Sequence, residues 1–121
     1  MYEWADVHVR FLTPEEGGSD FPRHLHASSG ARYMPHLRVG PEGEWLGIAF
    51  MRGPSPVSPG VEAEASVLFL YTDGGVDYSP LTEGAAFDVL EGRRVIGRGR
   101  VIRRYQTETV PSHTSPSVRP E

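Results

Sequence analysis

The sequence predicts an all-β fold: a six-stranded, antiparallel closed barrel over residues 1–105, followed by a disordered Ser/Thr/Pro-rich tail at 106–121. Three observations predict it. Apolar and polar residues alternate with period two in several short runs, as they do in half-buried strands. Turn chemistry punctuates those runs at short intervals, with 14 glycines and 11 prolines in 121 residues. No run carries the 3.6-residue periodicity of an amphipathic helix.

The elements follow in order. Ala5, Val7, Val9 and Phe11 alternate with Asp6, His8 and Arg10, giving a first strand with one buried face. Glu15–Gly30 is loop chemistry. In ARYMPHLRV, Tyr33, Pro35, Leu37 and Val39 share a face, and Pro35 predicts an edge strand or a bulge because proline removes a ladder donor. Glu44–Met51 is almost wholly apolar, as in a strand covered on both sides. GPSPVSPG is a loop, and VEAEASVLFLY alternates again from Val61 to Phe69. Breaks surround Tyr78. Phe87–Leu90 then pairs with Val95–Ile102 through a turn at Glu91–Arg94. Gly97 and Gly99 lie two apart on one face, where absent side chains let a barrel strand coil and approach its neighbours.

Composition removes whole classes of function. The chain has no cysteine, so disulfides, zinc fingers and thiol nucleophiles are excluded. It also has no lysine, which excludes the phosphate-binding P-loop and Schiff-base chemistry. With no lysine or asparagine, the abundant arginine reads first as composition bias. No apolar run is long enough for a signal peptide or a membrane span, so the expected location is cytoplasmic, with no membrane partner. The net charge is −4, yet Arg93–Arg104 holds six arginines and no acid, which leaves the remainder at −10. Charge is segregated, and segregation of this kind marks a surface.

The order of these pieces resembles a known family, the C-terminal (third) barrel of elongation factor Tu and related translational GTPases. The segments that carry the likeness are ADVHVRFLTPEEGG, YMPHL, SPGVEAEASVLF and above all FDVLEGRRVIGRGRV, similar to the family's closing hairpin. Together they span residues 5–104. The resemblance implies a six-stranded antiparallel barrel without catalytic residues, one that helps hold the T stem of aminoacyl-tRNA. The family's nucleotide-binding and second domains have no counterpart here, so it implies a stand-alone binding module and no bound nucleotide. Glu91, Gly92 and His36 match positions that lie near the tRNA backbone in the family. The chain departs from the family where its second turn glycine is Arg93, where Arg98 stands between the paired glycines, where Arg100 follows them, and where Met34 precedes the strand proline.

The functional expectation is therefore non-catalytic binding, with no cofactor and no metal. The first candidate partner is tRNA or another structured RNA, held through Arg93, Arg94, Arg98 and Arg100, with Ile96, Arg98, Arg100, Ile102 and Arg104 read as one strand face. The plain alternative for that face is a solvated surface, partly neutralised by Glu62, Glu64, Asp88 and Glu91. A second functional class is a protein-interaction module of adaptor or immunity type with no RNA role. It would use an apolar patch drawn from Trp4, Trp45, Phe50 and Met51, which are otherwise core residues. A third is a metal hydrolase built on His24 and His26 with His36 or His8, and with Asp20 or Glu16 as base. Five scattered histidines read more simply as surface residues, and no nucleophile motif surrounds Ser28, Ser29 or Ser66.

Overall fold

The computed structural model describes residues 1–28 and 31–110. Six strands, β1 (Tyr2–Phe11), β2 (His36–Arg38), β3 (Leu46–Arg52), β4 (Glu62–Phe69), β5 (Ala86–Glu91) and β6 (Arg94–Thr107), close into a barrel in the order β1-β4-β3-β2-β5-β6. Every neighbouring pair is antiparallel. Two short 3-10 turns, Pro14–Glu16 and Thr72–Gly74, are the helical elements among the described residues. No helix there is long and apolar enough to cross a membrane.

The alternation read in β1 and β4 is the alternation of the barrel wall. Ala5, Val7, Val9 and Phe11 point inward and meet Ala63, Ala65, Val67 and Phe69, with Leu37, Ile48, Phe50, Phe87 and Val89 completing the core. The doubly covered reading of β3 has a specific cause. Leu46, Ile48 and Phe50 face the core, while Ala49 and Met51 join a second cluster with Trp4, Leu68 and Ala27. Trp4, Phe50 and Met51 are thus buried, and Trp45, at 40 % exposure, is the one member of the predicted apolar patch at the surface.

Pro35 sits immediately before β2, and its carbonyl accepts the Ile48 amide at 3.2 Å. The barrel is closed, so β2 is no edge. Its brevity instead keeps the proline out of the ladder. The Tyr33–Phe50 bridge extends the contact toward the loop.

β6 differs from its prediction in two ways. It runs to Thr107, past the boundary expected at residue 105; of the expected tail, residues 108–110 follow outside the sheet and residues 111–121 lie outside the described residues. It is also bulged twice. Against β5, Val89 pairs with Gly97 but Leu90 pairs with Val95, so Ile96 is an extra residue. Against β1, Val7 pairs with Val101 but Asp6 pairs with Arg103, so Ile102 is another. A bulge shifts the side-chain phase by one. The single face expected for Ile96, Arg98, Arg100, Ile102 and Arg104 is therefore broken up. Ile96 is in the core at 1 % exposure, Arg98 and Arg100 face outward, and Ile102 is left on the surface. Arg104 lies over the Phe69 ring, 4.9 Å from its centroid.

Gly97 and Gly99 face inward between the two bulges. A Cβ at Gly99 would stand 2.2 Å from the His8 carbonyl oxygen and 2.6 Å from Phe87 Cζ. The glycine is what lets β1, β5 and β6 approach this closely. At the hairpin, Gly92 takes φ of 59°, and among the described residues no non-glycine residue has positive φ. The turn fits a type II′ hairpin, in which only the first central residue needs that conformation, so Arg93 occupies the second without strain.

Candidate functional site

Strand pairing places charged residues in rows around the outer wall. Glu62, Arg10, Arg98, Asp88 and Arg38 are successive partners across β4, β1, β6, β5 and β2. Glu64, His8, Arg100 and Ala86 form the next row. A groove of about 580 Å³ runs over these rows, walled on one side by Gly40 and Pro41 and floored by His8, Arg10, Arg98 and Arg100.

The cations there are held with unequal firmness. Arg10 makes a bidentate bond to Glu16, at 3.0 and 3.1 Å. The Arg10 bond, helped by the Thr13 amide, pulls the Glu16 carboxyl down to about 2. Arg98 only brushes Asp88, at 3.5 Å with its own side chain 67 % exposed, while the same Asp88 bonds Arg38 at 3.1 Å. Arg100 donates to the Gly84 carbonyl at 3.0 Å. His8 lies 3.5 Å from Glu64. Arg98 is thus the cation most cheaply redirected, since exposed pairs of this kind contribute at most about 1 kcal/mol.

The predicted site residues fall into two groups. Arg98 and Arg100 are adjacent on the groove floor. Arg93 and Arg94 are exposed at the β5–β6 turn, where Arg94 is bonded to the Gly17 and Gly18 carbonyls at 2.9 Å. Gly92 forms the turn itself. His36 is half-buried with its ring 5.8 Å from that of Trp45. Glu91 has a structural partner that the sequence did not suggest. It receives Arg23 Nε and Nη2 at 3.2 Å and the Tyr33 hydroxyl. Burial and then this carboxylate push the Tyr33 phenol well above its ordinary range. Arg23, only 8 % exposed, also bonds Ser19 Oγ and the Phe21 carbonyl. Arg10 and His8 were missed as groove residues; the available signal was their register opposite Arg98 and Arg100, which only alignment of the first and last strands exposes.

The histidines disperse. His8 faces Glu64, His36 packs by Trp45, and His24 Nδ1 lies 2.7 Å from Ser55 Oγ. Among the described residues no three His, Asp or Glu side chains come together as a metal ion requires. Compared with known proteins, the chain matches no protein-family model and no curated relative.

Proposed function

We propose that the chain is a non-catalytic binding module that holds structured RNA, tRNA-like in shape, in the arginine groove over β1, β6 and β5. The observation that carries this reading is the pair Arg98 and Arg100, both exposed and adjacent on the groove floor, flanked by Arg10 and His8. Two residues of strand advance about 7 Å, so neighbouring guanidinium forks engage successive phosphates of a backbone. The likeness of the closing hairpin to the translational-GTPase barrel supports the same partner. The footprint differs from the one that likeness implies. It centres on Arg98 and Arg100; Arg93 stays at the β5–β6 turn, outside the groove lining, while Glu91 serves the Arg23 contact. Structured RNA is a cytoplasmic polyanion, in keeping with the expected location.

The test is fluorescence anisotropy with a labelled tRNA pool across a salt series. Wild-type affinity falls steeply with salt. Arg98→Ala/Arg100→Ala binds at least about tenfold more weakly and lowers the salt slope by about one to two, since each lost phosphate contact removes about 0.7–0.9. Unchanged affinity and slope in the double variant sink the reading.

One observation favours a protein partner. The row Glu62–Arg10–Arg98–Asp88–Arg38 mixes two acids with three arginines, and mixed charge complements a mixed protein surface as well as it does a polyanion. In that case the complex survives RNase and moderate salt.

A further inference from the structure

A second cavity lies elsewhere, lined by residues of 22–28 and 31–33 together with Gly53 and Ser55, and none of these lines the arginine groove. It measures about 820 Å³, within the range of small-molecule sites. Its walls are built. Arg23 and Val57 exchange both backbone hydrogen bonds, at 2.9 and 2.8 Å; Leu25 donates to Pro54 at 2.9 Å and Ala27 to Met51 at 3.0 Å. The segment 23–27 therefore runs extended along 51–57. Its odd residues are buried, with Leu25 at 0 % and Ala27 at 3 %, and its even residues, His24 and His26, share the exposed side. Gly53 makes this close pairing possible, since a Cβ there would stand 2.8 Å from Leu25 Cβ.

The polar groups around the cavity have one electrical character. Among the described residues His24, His26 and Arg32 line it and no Asp or Glu does, in a chain with 16 acids and 12 arginines. Arg23 also lines it, but its donors are consumed by Glu91, Ser19 and Phe21. Arg32 is exposed and pairs with no carboxylate among the described residues. Its guanidinium is the donor set free for a ligand, with the two imidazoles and the Ser55 hydroxyl beside it. Tyr33 adds an apolar wall.

We infer that this cavity is a binding site for a small anion, a molecule bearing a phosphoryl or carboxylate group that Arg32 grips as a fork and His24 and His26 flank. The ring resonances of His24 and His26 in the full-length chain are followed by NMR during titration with inorganic phosphate, citrate and adenosine 5′-monophosphate, with adenosine as the uncharged control. Saturable shifts with inorganic phosphate identify a phosphoryl site, and with citrate a carboxylate site. In either case Arg32→Ala weakens binding about tenfold, the loss expected for a charge-assisted hydrogen bond, Arg32→Lys recovers part of it, and Arg98→Ala/Arg100→Ala leaves it unchanged. That last variant separates the cavity from the groove. No saturable shift by about 10 mM anion, a weaker grip than any specific site would show, overturns the inference. So do shifts that persist in Arg32→Ala, or shifts by adenosine equal to those by adenosine 5′-monophosphate.

Discussion

Gly99 has no room for a methyl group, and the obstacle is backbone rather than a flexible side chain. The His8 carbonyl oxygen would be 2.2 Å from the new Cβ, against 3.1 Å to the nearest atom at Gly97. Gly99→Ala is expected to cost about 3 kcal/mol, at the upper end of overpacking, and Gly97→Ala about 1 kcal/mol, as its neighbour Phe11 gives by a few tenths of an ångström. Urea denaturation followed by tryptophan fluorescence measures both. Carboxylates lowered in the folded state, Glu16, Asp6 and Asp77, set the acid limb of stability. Glu16 is lowered to about 2 from 4.5, chiefly by Arg10. At Asp6 partial burial raises the pKa, but the Arg103 and Ser66 hydrogen bonds outweigh it and the net shift is downward. A group depressed in the folded state stabilises above its unfolded pKa and loses that contribution as pH falls through its folded one. The Glu16 contribution is present above about pH 4.5 and disappears toward pH 2. In Glu16→Gln the slope of unfolding free energy against pH is shallower across that window than in the wild type.

Strands and loops are joined by contacts far apart in the chain. Glu91 is 68 residues from Arg23 and 58 from Tyr33, yet it ties the long loop after β1 to the closing hairpin. Glu91→Gln leaves Arg23 without its counter-charge. The expected cost is about 1–2 kcal/mol, reduced from the value for a fully buried pair because Glu91 is itself part-exposed. Hydrogen exchange at the Arg23 and Leu25 amides reads out the loosened loop, and protection equal to wild type counts against the tie. Contacts of this kind are what the sequence conceals. The faces of β1 and β4 are legible because Val7 and Val9, or Ala63 and Ala65, repeat every second residue. The face of β6 is not. Ile96 and Ile102 continue the alternation on paper, and only the register of β5 and β1 marks them as extra. Likewise the i, i+2 spacing of His24 and His26 shows a shared side, but the cavity depends on pairing with 51–57, which has no alternation to betray it. Of the arginines named for RNA, Arg98 and Arg100 reach the groove and Arg93 and Arg94 stay at the turn, because a two-residue hairpin sends its tip beyond the wall.

The whole molecule is held by strand pairs distant in sequence. β1 pairs with β4 and with β6, and β2 with β5. Such topologies pay loop-closure entropy before their contacts form, so refolding is expected in milliseconds to seconds rather than microseconds. Stopped-flow dilution from urea measures this; a microsecond phase carrying the full amplitude would contradict it. Fluorescence suits the purpose, since Trp4 is 1 % exposed and stacked 5.9 Å from Tyr105, whereas Trp45 is 40 % exposed. Iodide is expected to quench Trp45 and spare Trp4 in the native state.

The register that sets Tyr2 beside Thr107 also settles how the molecule responds to force. Load applied through those two residues pulls neighbouring antiparallel strands apart at one pole, so their hydrogen bonds break in succession instead of sharing the tension. Tethered by its ends, the barrel is a zipper and yields easily; anchored across opposite ends of β1 and β6, the same bonds are sheared together and it resists.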